Sequence, residues 1–102
     1  MSFQFDVLEL ARWTVLLYLY HADHRAGICE KFLPRLFQDA RLTVSPAEAK
    51  NILFYLEDLE LCKLEKDTFD QCWARITPKG IQVVEYQIEC PPGIAREEKR
   101  WW

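Results

Sequence analysis

The sequence predicts a mostly α-helical small domain with one β-hairpin, in the order three helices, two-stranded hairpin, C-terminal helix. Three observations predict it. Ser45-Pro46-Ala47-Glu48 opens a helix with three start signals at once: a hydroxyl cap, a proline at the first helical position, and a glutamate placed to close a capping box. After Leu61 the apolar period shortens from helical spacing to alternation, and a turn-rich Asp67-Thr68-Phe69-Asp70 divides two such runs. Thr77-Pro78 then opens a last helix by the same cap-plus-proline logic.

A chain of 102 residues, half of them hydrophobic and 14% aromatic, can bury a single core without a metal or disulfide staple. The expected domain covers residues 1–90, and residues 91–102 form a tail that packs on the domain or on a partner. Net charge is −3 and the pI about 5.4, so the bulk composition carries no nucleic-acid footprint. Cys29, Cys62, Cys72 and Cys90 are widely spaced, and Met1 to Asp6 lacks the basic start and apolar core of a signal peptide. The expectation is four reduced thiols in a cytoplasmic protein. The longest apolar run, Val15 to Tyr20, is far too short to span a membrane.

The first helix is expected to begin at Asp6, with Glu9 completing a capping box. Leu8, Ala11, Val15 and Tyr18 form one stripe, and Leu10, Trp13, Leu17 and Tyr20 lie beside it. Around Val15–Tyr20 the helix is apolar nearly all round, which predicts a central helix or one that packs on a second copy of the chain. His21 to Gly27 ends it. A second helical stretch is expected from Ile28 to about Ala40, with Ile28, Phe32, Leu33, Leu36 and Phe37 on its apolar face and a kink at Pro34.

Arg41-Leu42-Thr43-Val44 connects to the third helix, Pro46–Leu61. Its stripe is Ala49, Ile52, Leu53, Leu56 and Leu59, and burying the four large residues contributes roughly 1.5–3 kcal/mol each before entropy. The opposite face presents Lys50, Asn51, Phe54, Tyr55 and Asp58. Leu61 to Lys66 and Gln71 to Ile76 read as paired strands with a loop of four residues or slightly more. In the last helix Ile81, Val84 and Ile88 mark the buried side, and Cys90-Pro91-Pro92-Gly93 stops it.

Tyr55-Leu56-Glu57-Asp58-Leu59-Glu60-Leu61 resembles the end of the third helix in winged helix-turn-helix regulators of the MarR and PadR kind. Arg75-Ile76-Thr77-Pro78-Lys79-Gly80 is similar to the junction that follows their wing. The chain departs from them at Glu60, where a glycine is usual. Val84-Glu85-Tyr86, then Cys90-Pro91-Pro92-Gly93-Ile94-Ala95-Arg96 and a terminal tryptophan, resemble small winged-helix proteins of Mu-like phages and prophages. The resemblance implies a fold and a genomic setting more than a mechanism.

For such a fold the expected activity is duplex DNA binding, as an accessory factor or transcriptional regulator, with the third helix in the major groove. Lys50 and Asn51 are the base-edge candidates, Phe54 a contact for a thymine methyl, and Lys66, Arg41 and Arg35 the phosphate contacts. The charge count opposes this: between Ser45 and Leu61 one lysine faces Glu48, Glu57, Asp58 and Glu60, and Lys66 sits with Asp67 and Asp70 at the hairpin tip. A homodimer through the first helix and the C-terminal segment is expected, and by doubling a modest patch it eases the conflict. The competing expectation is a protein-binding module anchored by Phe54, Tyr55, Phe69, Trp101 and Trp102.

His21-x₂-His24-x₄-Cys29, even with Cys90, is too loose for a zinc site, so no metal and no cofactor are expected. Ser45 is committed to capping, only Gly27, Gly80 and Gly93 are present, and nothing positions a third group beside Cys29 and His24. The sequence therefore predicts neither an enzyme nor a small-molecule substrate.

Overall fold

A computed structural model describes residues 6–97, which form four α-helices and a three-stranded antiparallel sheet. The elements are α1 (Val7–His21), β1 (Ile28–Cys29), a 3₁₀ turn (Glu30–Phe32), α2 (Leu33–Asp39), α3 (Pro46–Asp58), β2 (Cys62–Lys66), β3 (Cys72–Ile76) and α4 (Pro78–Val84).

Both capping boxes form. The Asp6 carboxylate accepts from Leu8 N and the Glu9 carboxylate from Asp6 N, while Ser45 Oγ accepts from Glu48 N and Glu48 Oε1 from Ser45 N. Helix α1 is central. Ala11, Val15, Leu16 and Leu19 are almost completely buried against the chain's own core, and Trp13 is buried too. Of the all-round apolar stretch, Tyr18 remains exposed and Leu17 and Tyr20 are half-buried. Helix α3 buries Ala49, Ile52, Leu53 and Leu56 as its stripe requires, and ends at Asp58 rather than Leu61.

The segment after Gly27 departs from expectation. Ile28 and Cys29 are a strand, pairing with Ala74 and Trp73 of β3, so the sheet has the order β1-β3-β2 and the ribbon has a third member. Pro34 lies in the first turn of α2, where its missing N–H costs nothing, and introduces no mid-helix kink. Leu33 and Phe37 are buried beneath it, whereas Phe32 on the 3₁₀ turn is exposed.

The hairpin pairs Cys62 with Ile76 through to Lys66 with Cys72. Its loop is built on one carboxylate. Asp67 Oδ1 accepts from Phe69 N at 2.8 Å and Gln71 N at 3.0 Å, and Oδ2 accepts from the Trp73 indole at 2.9 Å. At the base of the hairpin Thr77 caps α4 through Gly80 N, donates its hydroxyl to the Glu60 carbonyl, and gives its own N–H to Leu61 O. A side chain at Gly80 would run into that same Leu61 carbonyl, so only glycine allows the close approach of α4 to the α3–β2 turn.

Helix α4 stops at Val84, six residues before Cys90. The chain then returns over α1 and α3: Ile94 and Ala95 are buried, and Ala95 N donates to Glu9 O at 3.1 Å. Arg96 donates to the Val83 and Ile88 carbonyls at 2.8 and 2.9 Å and lies over the Tyr86 ring. No helix among the described residues is long and apolar enough to cross a membrane.

Candidate functional site

The outer face of α3 and the inner side of the distal hairpin enclose a cleft of about 330 Å³, lined by Glu30, Lys50, Phe54, Glu57, Leu64, Glu65, Lys66, Asp70 and Cys72. Its existence follows from periodicity. Lys50, Phe54 and Glu57 are spaced at four and three residues and so project from one side of α3. Leu64, Lys66 and Cys72 lie on the sheet face that carries Cys62 and Ala74 into the core, but beyond the core's edge. The cleft is the place where the core stops while the hairpin continues.

Phe54 is 47% exposed, a large apolar surface for a residue with no role in the core. Glu30, Glu57 and Asp70 line the cleft with it, against the ammonium groups of Lys50 and Lys66, whereas Glu65 borders the cleft from β2 with its carboxylate on the sheet's other face. Lys66 pairs with Asp70 at 3.3 Å. Glu65 pairs with Arg75. Glu57 Oε2 accepts from Leu64 N at 3.1 Å, which satisfies an outward-pointing donor of the edge strand β2 and ties α3 to the hairpin. Glu30 has no ion pair among the described residues. Two thiols report the local field. Burial first, then Glu57, pushes Cys62 up to about 12, while burial first, then Glu30, raises Cys72 against the opposing effect of Lys50 and Lys66.

The sequence-predicted site residues separate into distinct groups. Lys50, Phe54 and Lys66 meet in the cleft, and Asn51 is exposed on α3 outside its lining. Arg35 is exposed on α2 and paired with Asp39 at 3.4 Å. Arg41 follows α2 in the left-handed conformation, with φ at 59°. Tyr55 turns away from the cleft: half-buried, it lies beneath Arg12 and donates its hydroxyl to Pro92 O at 2.6 Å. Phe69 stands at the loop tip, 82% exposed. Trp101 and Trp102 lie outside the described residues. The cleft residues that sequence reasoning missed are Glu30, Glu57, Leu64, Glu65, Asp70 and Cys72. Glu57 was within reach, because it falls one turn beyond Phe54, and Leu64 and Cys72 follow from the hairpin register. Glu30 was not, since its position depends on β1.

His24 donates to the Tyr20 carbonyl and Cys29 to the Gln71 side chain, and no group of three or more His, Cys, Asp and Glu side chains is placed to hold a metal among the described residues. A second, smaller hollow lies on the sheet's other face between His24, Lys63, Arg75 and Thr77. Comparison with protein-family models, curated proteins and solved structures gives no match to this chain.

Proposed function

We propose that this protein is a winged-helix module of the prophage type, with β2 and β3 as its wing, and that it binds a protein partner through the cleft beside Phe54 rather than reading duplex DNA. The supporting observation is the composition of that cleft: an exposed phenylalanine with the carboxylates of Glu30, Glu57 and Asp70 and two lysines along the same lining. Duplex affinity comes largely from neutralising phosphates, and each carboxylate turned toward the backbone opposes it. Lys66 and Arg35, two of the cations expected to hold phosphates, are already occupied by Asp70 and Asp39. Exposed aromatics, in contrast, dominate protein interfaces. Four free thiols accord with a cytoplasmic setting.

A DNA-reading role retains one specific support, the solvent-facing pair Lys50 and Asn51 near the start of α3. Replacing Phe54 with the photo-crosslinker p-benzoylphenylalanine in the producing cell separates the two readings. A protease-sensitive adduct is expected. A nuclease-sensitive adduct, together with salt-dependent binding of a random duplex that Lys50→Ala weakens, overturns the proposal. A homodimer through α1 would have to use exposed Tyr18 and half-buried Leu17. Sedimentation at tens of micromolar tests it, and a single monomeric species removes it.

A further inference from the structure

Resting on the protein-partner reading, we propose that the cleft receives an arginine side chain of the partner, flanked in that partner by an apolar residue. The guanidinium is the one protein cation that matches both halves of the cleft. Its flat face stacks on an aromatic ring, and its edge carries donors that meet carboxylates in pairs.

Phe54 supplies the ring. It stands half-exposed between two carboxylate-bearing elements, and no cation of this chain lies over its ring among the described residues, whereas Phe32, Tyr55 and Tyr86 each already carry one. Glu57 and Glu30 supply the acceptors. Glu57 is held in place by the Leu64 N–H, which uses one of its oxygens and leaves the other, so the acceptor is positioned before any partner arrives. Asp70 is paired with Lys66, and Glu65 pairs with Arg75 on the sheet's other face, which leaves Glu30 and Glu57 against Lys50 alone. The remaining charge calls for one cation. Leu64 and the Cys72 thiol form an apolar surface beside it, suited to the arginine's methylene stem and the flanking apolar residue.

Size agrees with this assignment. A cleft of about 330 Å³ sits at the small end of ligand sites, large enough for one or two side chains and too small for a docked helix. Backbone addition to the edge of β2 is disfavoured, because Glu57 already occupies the Leu64 N–H. Phosphate-bearing partners meet the wrong charge.

The test is a titration of the ¹⁵N-labelled full chain with a capped glycine-leucine-arginine-leucine-glycine peptide, its citrulline and glutamate counterparts, and a random duplex. The arginine peptide is expected to move the amides of Phe54, Glu57, Leu64 and Cys72, and to bind about tenfold more tightly than the citrulline peptide, which keeps the shape and lacks the charge. Phe54→Leu and Glu57→Gln should each weaken it several-fold. The glutamine still accepts from Leu64 N–H, so an unchanged circular dichroism spectrum separates lost binding from lost fold. Equal binding of the citrulline or glutamate peptide at the same amides overturns the arginine assignment and leaves the protein-partner reading standing. Perturbation of those amides by the duplex overturns both. Shifts confined to other surfaces, or none at millimolar peptide, overturn the arginine assignment.

Discussion

The Arg12 guanidinium lies over the Tyr55 ring, 3.9 Å from its centre, and the two side chains hold neighbouring carbonyls of the returning chain: Arg12 Nη1 donates to Gly93 O at 2.9 Å and Tyr55 to Pro92 O at 2.6 Å. Among the described residues Arg12 Nε is buried without a partner, and the ring face and that single carbonyl are the contacts that hold the cation. This clasp fixes residues 92–95 across α1 and α3. It also sets the roles of two adjacent aromatics, Tyr55 holding the fold together and Phe54 facing the cleft.

Gly93→Ala should therefore release the clasp. Gly93 has φ at 88°, and a Cβ there meets the Tyr55 hydroxyl. The two effects together should cost about 1–3 kcal/mol in urea denaturation. Faster hydrogen exchange at Ala95, whose N–H bonds Glu9 O, should accompany the loss. Tyr55→Phe keeps the stack, removes one hydrogen bond, and should cost about 0.5–1 kcal/mol. Neither change should alter peptide binding in the cleft.

Three helices end the same way without glycine. After α2, α3 and α4 the residues Arg41, Glu60 and Tyr86 adopt φ near 60°. In each case the next N–H reaches back five residues, Leu42 to Phe37, Leu61 to Leu56 and Gln87 to Gln82, as in a Schellman motif. A left-handed non-glycine residue costs roughly 1–2 kcal/mol. Glu60→Gly should raise stability by about 1 kcal/mol, seen as a higher denaturant midpoint at unchanged slope. Tyr86→Gly should not, because its ring carries Arg96 and its hydroxyl bonds the Glu97 carbonyl.

These left-handed ends explain part of what the sequence concealed. The helix starts were legible because Asp6, Ser45 and Thr77 announce themselves by side-chain chemistry. The end of α4 was not, because a tyrosine at the reversal carries no signal, and the next visible stop was Cys90-Pro91-Pro92-Gly93. Strand β1 has two residues, too few for alternation, and Ile28 happens to fall in helical register with Phe32 and Leu36. Leu16 and Leu19 escaped the predicted stripe since, in a helix apolar all round, spacing alone does not choose a face. Phe54 could be read as unabsorbed by the core; its carboxylate neighbours from the loop and the 3₁₀ turn are brought there only by the fold.

Asp67 makes the hairpin loop sensitive to acid. The Gln71 N–H first, then the Trp73 indole and the Phe69 N–H, hold its carboxyl below the ordinary aspartate value. A depressed carboxyl stabilises the folded chain above the unfolded value, about 3.9, and that contribution is lost as pH falls through the lower folded value. The Trp73 indole N–H resonance should hold steady down to the ordinary aspartate range and shift only below it. In Asp67→Ala the resonance should already be displaced at neutral pH and show no such acid transition.

The thiols behind the cleft give the opposite pH sign and a probe of its rigidity. Cys62 is 1% exposed, donates to Leu53 O, and is pushed up to about 12 by burial and then by Glu57. Cys72 is raised in the same direction. An unfolded thiol ionises near 8.5, so the unfolded chain loses its proton first as pH rises. Stability from these two residues is thus fully present below that value and falls between it and the raised folded values. At mildly alkaline pH, iodoacetamide should leave Cys62 unmodified in the native protein, with its rate following global unfolding, and label all four cysteines in denaturant. Rapid native labelling of Cys62 would mean that the seam between α3 and the hairpin opens by itself, and a cleft with such a seam would not hold Glu57 in position for a partner.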